Sequence, residues 1–427
     1  MRGPRRDHQR PSLAKPELRE VDILRVGAQG DGVAEGPVYV PFTLPGERVR
    51  AKVQAGRGEL VEVLSPSPER QTPPCPHFLA CGGCALQHWA ELGYLGFKVE
   101  MIQEALSRER LETEILSPMA SPLGSRRRLA LHARPGGPEG ARLGYKARGS
   151  WSLVEIVVCP IADPRLVENF PALRRLAAAF LEHPRSAPTL HVTWTDAGID
   201  VDVSGVERRT GGLSADAQLR AAEAAQAAGF ARVTLAGETL YQSRRPEVRI
   251  GRAQVALPAG GFLQATPQAE AAMAAFVVAA ADGAEKVADL FCGVGTFSFH
   301  LAERSQVLAV DASAQAIAAL SGALGGAPGL RPITAEARDL FRRPVLAMEL
   351  KGVHAVVFDP PRAGAEAQAA QIGASGVARA IGVSCNPTTF ARDARILTDA
   401  GFVLERVLPV DQFLWSPHVE LVGVFSR

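Results

Sequence analysis

From about residue 265 onward the chain alternates short apolar runs with helical patterns, and nothing else in it narrows the fold as far. Apolar runs end at Leu290, Asp311, Asp359 and Cys385, and helix-period segments lie between them, led by an alanine-rich helix near 267–281. Strands alternating with helices form a parallel, doubly wound sheet. Ligands of such sheets bind at the carboxyl ends of the strands. Those four strand ends are therefore where chemistry is expected.

The N-terminal half reads differently. Short strand-like runs at Val21–Val26, Val38–Val40, Arg48–Val53 and Leu60–Leu64, punctuated by glycines, predict a small five-stranded barrel over 17–66. Such a barrel either binds oligonucleotides or serves as an accessory fold. Residues 1–16 read as a disordered basic tail. A Pro-rich linker follows the barrel, then a helix near 90–110. The middle of the chain, about 111–250, mixes strands with a basic segment. That segment (Arg126, Arg127, Arg128, Arg134, Arg142, Lys146 and Arg148, with Tyr145 and Trp151) suits phosphate contact and base stacking, or is a solvated charged face. The net charge is only +2, so any nucleic-acid surface is a local patch. With 47% hydrophobic and 22% charged residues the chain can bury ample core. No apolar run has the length of a signal peptide or a membrane span, which predicts a cytoplasmic protein with no membrane partner.

The strand ends carry distinctive residues. Val287-Ala-Asp-Leu-Phe-Cys-Gly-Val-Gly-Thr-Phe297 reads as strand, glycine turn and helix start, and Asp311 ends the next strand, where an acid binds ribose hydroxyls. A third glycine is missing and Asp289 stands at the strand end, so a cationic, ribose-bearing ligand fits better than a pyrophosphate. S-adenosylmethionine is such a ligand. The third strand ends in Asp359-Pro-Pro-Arg362; Arg362 in place of an aromatic residue weighs against amine substrates. Cys385, flanked by Ser384, Asn386 and Pro387, sits where a strand meets a loop. His418 and Glu420 are expected on one face of a short strand, with apolar neighbours that suit the carboxylate to a base role.

Cys75, Cys81 and Cys84 are separated by five and two residues, and Cys159 lies far downstream. Four thiolates in this pattern suit zinc or an iron–sulfur cluster.

Taken together and in order, Phe262-Leu-Gln264, Asp289-Leu-Phe-Cys-Gly-Val-Gly295, Asp359-Pro-Pro-Arg-Ala-Gly364, Ser384-Cys-Asn-Pro387 and His418-Val-Glu420 resemble the RNA 5-methyluridine methyltransferase family. The resemblance covers most of the chain and extends to the small barrel, which looks like a TRAM domain. It implies an α/β fold: a doubly wound Rossmann-like methyltransferase domain over 255–427, an α+β central domain over 67–254 that holds iron–sulfur and binds RNA, and the N-terminal β-barrel. It further implies S-adenosylmethionine contacts at Gln264, Phe291, Asp311 and Asp359, with Thr296 and Asp339 as further candidates. Cys385 is the implied nucleophile and Glu420 the implied base. A 4Fe-4S cluster on Cys75, Cys81, Cys84 and Cys159 is implied by the family's ribosomal-RNA members. The expected partner is RNA, 23S ribosomal RNA before transfer RNA, with no DNA, and the expected state is a monomer.

The chemistry agrees with these roles. Carbon 5 of uracil is a poor nucleophile until a thiolate adds at carbon 6 and turns the ring into an enolate. The surplus proton on carbon 5 must then reach a base before the thiolate can leave. The rival readings are a catalytically idle RNA-binding protein clipped by its cluster, against which Cys385 and Glu420 speak, and a redox or methylthiolating enzyme, which should lack Ser384-Cys-Asn-Pro387.

Overall fold

A computed structural model describes residues 15–207 and 212–427. The tail expected over 1–16 falls, apart from its last two residues, outside the described residues. The described residues divide into two compact units: one comprises residues 15–74, 84–97 and 415–417, the other 75–83, 98–207, 212–414 and 418–427.

The first unit carries a closed five-stranded barrel built from Glu17–Val26, Asp31–Ala34, Val38–Pro41, Arg48–Gln54 and Arg57–Ser65. Its small core is Ile23, Ala34, Val38, Val40, Val49, Ala51 and Val53. The strand Asp31–Ala34 has no counterpart among the four runs read from the sequence; four residues between glycine turns are too few to show an alternating pattern.

The second unit begins with a seven-stranded sheet in the order Leu153–Glu155, Ala141–Lys146, Arg128–Pro135, Thr189–Thr195, Gly198–Ser204, Arg232–Leu235, Glu238–Gln242. Helices Phe170–Ala178 and Ala215–Ala227 supply Leu173, Leu176, Ala217, Ala221 and Ala225 to its core. Next comes the doubly wound sheet. Its parallel strands run in the order Ile333–Ala337, Gln306–Asp311, Lys286–Leu290, Ala355–Phe358, Arg379–Ser384. Glu420–Ser426 then pairs antiparallel with Arg379–Ser384, and Val403–Asp411 pairs antiparallel with Glu420–Ser426. Val403–Asp411 therefore points the same way as the parallel strands, and its end lies at the same edge of the sheet as theirs.

Burial on both faces explains the unbroken apolar strands. Ala355, Val357 and Ile381 join one core with Met273, Val277 and Phe299. Val356, Phe358 and Ala380 join the opposite one with Ile372, Phe390 and Leu397. The helix Pro267–Ala280 starts where the sequence dictates: Thr266 caps it by accepting from Ala269 N at 3.2 Å, and Pro267 fills its first position. Glu270, Met273, Ala274 and Val277 form its buried stripe. No helix among the described residues is long and apolar enough to cross a membrane.

Candidate active site

The glycine turn after Lys286–Leu290 is shaped by its sequence. Gly295 has φ +98°, and a Cβ there would meet Phe299 at 2.7 Å and Leu320 at 3.0 Å, so no side chain fits. Phe291 adopts φ +62°, a strained state for a bulky residue that surrounding packing must hold. Its ring lies 5.6 Å from that of Phe341. Asp311 ties the turn to the next strand: one oxygen accepts from Gly293 N at 2.9 Å, the other from Ser313 N at 2.7 Å.

Asp289 is fully buried. Its Oδ2 accepts from Ser298 Oγ at 2.5 Å, while Oδ1 has no partner among the described residues. Burial, with Asp359 and Asp311 nearby, pushes its carboxyl up to about 7. Burial does the same to Asp359, to about 7, with Asp311 adding to the rise. Three neighbouring carboxyls, one with an orphaned acceptor, have the chemistry that suits a cation carrying N–H donors. These residues fit S-adenosylmethionine, whose sulfonium and ammonium groups supply both.

Asp359 follows Ala355–Phe358, and its Oδ2 accepts from Gln264 Nε2 at 3.2 Å. Gln264 Oε1 accepts from Gln412 Nε2 at 2.7 Å, and the same Nε2 donates to Glu420 Oε2 at 2.7 Å. Glu420 is the first residue of its strand, and burial plus the charge of Asp359 push its carboxyl up to about 8. Cys385 follows Arg379–Ser384. Asn386, which caps helix Pro387–Asp399 by accepting from Thr388 N, fixes the turn in which it sits. Burial first, then Glu420 and Asp359, raise the Cys385 thiol to about 11, and Arg362 works in the opposite direction. The main-chain carbonyl of Arg362 accepts from Asn386 Nδ2 at 3.0 Å, which stitches the Asp359 and Cys385 loops together. Gly364 completes that loop at φ +78°, where a Cβ would strike Arg392 and Asp393.

The basic run at 126–128 is not simply a solvated face, because Arg127 and Arg128 are turned onto the chain's own groups. Arg127 is buried and forms an ion pair with Glu270, and its Nε donates to the Gln264 carbonyl at 3.1 Å. Arg128 Nη1 donates to the Leu263 carbonyl at 2.8 Å and its guanidinium lies 5.1 Å over the Phe262 ring. Both hold the segment that presents Gln264. Arg126 stacks over Phe413 at 6.0 Å. Arg126, Arg128, His191, Phe262 and Phe413 line a cleft of about 260 Å³ that reaches Gln412. Across the central sheet Trp151 is exposed, with Lys146 Nζ 3.8 Å from its ring.

Of the residues singled out in the sequence, Gln264, Asp359, Cys385 and Glu420 come together. Asp289, Phe291 and Asp311 gather at the adjoining turn, and Thr296 lies buried at its end. Asp339 stands two residues before Phe341, whose ring meets that of Phe291; it accepts from Phe341 N and Arg342 N in its own turn and pairs with Arg342. His418 lies outside any strand, because Pro417 removes a ladder donor and the strand begins only at Glu420. Its ring meets Phe413 edge-on at 6.1 Å, and burial, then Arg362, lowers its pKa. Two participants were not singled out. Gln412 follows the end of Val403–Asp411, and Lys98 pairs with Asp411 while donating to the carbonyls of Phe413 (3.3 Å) and His418 (2.6 Å). The first has a signal that could have found it, a polar pair closing an apolar run; the second has none.

Cys81 and Cys159 pack on the core of the central sheet, and Cys81 forms a bridge with Ala147. Burial pushes Cys159 up to about 11, with Cys75 and Cys81 adding to the rise. Among the described residues no three His, Cys, Asp or Glu side chains are gathered so as to hold a metal ion.

A doubly wound sheet whose strand ends gather neighbouring carboxyls, a cysteine and a buried glutamate has the build of a methyltransferase. The family described as tRNA (Uracil-5-)-methyltransferase matches residues 329–427. A Caulobacter vibrioides protein described as an uncharacterized RNA methyltransferase is 62% identical, over 96% of this chain and 100% of that one. The 23S rRNA (uracil(1939)-C(5))-methyltransferase RlmD of Chromohalobacter salexigens is 32% identical, over 95% of this chain and 89% of that one. The fold matches the crystal structure of Pyrococcus abyssi tRNA (uracil-54, C5)-methyltransferase in complex with S-adenosyl-L-homocysteine at TM-score 0.71 and 22% identity, over 95% of this chain and 99% of that one. The chain belongs to the RNA 5-methyluridine methyltransferase family.

Proposed function

We propose that this protein methylates carbon 5 of one uridine in 23S ribosomal RNA, in the cytoplasm, through a covalent bond between Cys385 and the uracil. The observation that carries the reading is the grouping of Cys385, Asp359 and Glu420, whose charges act on one another at one edge of the sheet. The similarity to a 23S rRNA enzyme along nearly the whole chain supports ribosomal over transfer RNA.

Asp289, Asp311, Asp359, Gln264, Phe291 and Thr296 would hold S-adenosylmethionine, which when bound supplies the methyl group and leaves as S-adenosylhomocysteine. The Cys385 thiol gives up its proton to solvent and the thiolate bonds to carbon 6, so that electron density moves to carbon 5. Carbon 5 then bonds to the methyl carbon as the bond from that carbon to the sulfonium sulfur breaks, and Glu420 takes the proton that carbon 5 still carries. The electron pair of that C–H bond reforms the 5,6 double bond and expels the thiolate. The base must be unstacked to be reached, and the cleft beside Gln412, rimmed by Phe262 and Arg126, offers stacking and phosphate partners for it. Exposed Trp151 with Lys146 offers a further RNA contact, and the TRAM-type barrel would bind RNA in its own right.

Cys75, Cys81 and Cys159, with Cys84 three residues beyond Cys81, would hold a structural 4Fe-4S cluster. Their spacing supports this assignment, and the thiols would draw together around the cluster, since no three are gathered among the described residues.

The test is mass mapping of 5-methyluridine in RNA from a deletion strain. One site in 23S rRNA should lose its methyl group, the wild-type gene should restore it, and Cys385→Ala should not. Loss confined to transfer RNA would move the substrate there; unchanged RNA would refute the activity.

A further inference from the structure

The polarity of the hydrogen bonds around Glu420 is fixed from outside the site. The main-chain N–H of Ala265 can only donate, and it donates to Gln412 Oε1 at 2.7 Å. This sets the orientation of the Gln412 amide and leaves Nε2 facing two acceptors, Gln264 Oε1 and Glu420 Oε2, each at 2.7 Å. Gln264 Oε1 is thereby occupied, so its own Nε2 faces Asp359 Oδ2 at 3.2 Å. Gln264, Gln412 and Glu420 are all buried, at 2%, 2% and 3% exposure. One amide thus supplies a donor to the carboxylate expected to act as base and orients the amide that reaches the carboxylate beside the cofactor. The site also has a rigid mount: Asp411, the neighbouring residue, is buried and paired with Lys98.

We infer that Gln412 is a positioning residue for the methylation reaction, fixing the carboxylate of Glu420 and linking it through Gln264 to Asp359. The inference rests on the assignment of Glu420 as base proposed above. The charged group that acts on Glu420 is Asp359; Glu420, Asp359 and Arg362 act on Cys385, Asp311 acts on Asp359, and Asp411 is engaged by Lys98. Asp359 raises the carboxyl of Glu420 and Gln412 lowers it. Gln412 is thus the neighbour that favours the ionised form, the form able to take a proton from carbon 5. A group that only filled space could be replaced by another of the same size. A group that holds the charge of Glu420 cannot.

The experiment follows single-turnover formation and resolution of the covalent RNA complex from pH 5.5 to 9.5 in wild type, Gln412→Met, Gln412→Glu and Glu420→Gln. Methionine matches the volume but has no donor. Glutamate keeps an acceptor for Ala265 N–H, is nearly isosteric, and sets a second carboxyl against Glu420, so it carries the test should the methionine variant not fold. Resolution should need a higher pH in both, by about one to two pH units in Gln412→Met, the equivalent of one hydrogen bond to a charged group, and by more in Gln412→Glu. Adduct formation should be less affected, and resolution should recover at high pH. The apoprotein gives a second readout. A neutral Glu420 raises the thiol of Cys385 less, so iodoacetamide should alkylate Cys385 faster at pH 8 in Gln412→Met than in wild type. Variants that fold yet resolve the complex with the wild-type pH profile, or lose rate equally at every pH, would overturn the inference while a trapped complex in Glu420→Gln left the base assignment standing. Normal turnover by Glu420→Gln would refute that assignment itself, and this inference with it.

Discussion

Arg127 joins Glu270 in a buried ion pair and, through Nε, binds the carbonyl of Gln264 at 3.1 Å. One guanidinium thus connects the first turn of helix Pro267–Ala280 to the residue that reaches Asp359. Arg127→Met should strand the Glu270 carboxylate in the core and cost about 3–5 kcal/mol, the usual penalty for breaking a buried pair on one side. Arg127→Met combined with Glu270→Met should recover most of that stability, yet still bind S-adenosylmethionine more weakly, because Gln264 loses its support. Denaturant unfolding and calorimetry on the three proteins check both halves.

Cofactor binding should depend on pH with a defined sign. Asp289 and Asp359, pushed up to about 7, are part-protonated in the free protein at neutral pH. A cationic ligand favours their ionised forms, so binding releases protons and affinity rises as pH increases through 7, by up to about tenfold per unit for one proton released. The gain should level off above the two titrations. Calorimetry in buffers of different ionisation enthalpy measures the proton count directly; a flat affinity from pH 5.5 to 8.5 would contradict the carboxyl site. Asp359→Asn should weaken binding and flatten the profile.

The strand-end residues were legible because both faces of the sheet are covered. Burial on both sides leaves unbroken apolar runs such as Ala355–Phe358, and the polar residue that ends each run is conspicuous. Gln412 escaped because its strand, Val403–Asp411, precedes an antiparallel partner and does not fit the strand–helix alternation. Only the pairing shows that it points the same way as the parallel strands. Arg127 and Arg128 misled for another reason. Consecutive arginines look alike whether they face solvent or carbonyls, and their acceptors lie more than a hundred residues away in the chain. Lys98, whose partners lie more than three hundred residues away, could not be told from a surface lysine.

The cysteine assignment has its own outcome. Anaerobically purified protein should be brown and hold about four iron per chain, as a Cys₄-bound cubane requires. Cys159→Ala should lose iron and colour and, because Cys159 packs on the central core, unfold at lower temperature. Colourless protein with one zinc would refute the cluster.

The central claim is that Cys385 bonds to the uracil and that release waits on proton removal from carbon 5. RNA bearing 5-fluorouridine at the target tests it, because fluorine in place of that proton cannot be taken by a base. Wild-type protein should accumulate a complex that survives denaturation. After nuclease and protease digestion, mass spectrometry should find a methylated 5-fluorouridine nucleotide on the peptide that contains Cys385, and none in Cys385→Ala. An enzyme that methylates ordinary RNA yet forms no such complex, or carries the adduct on another residue, would contradict the account.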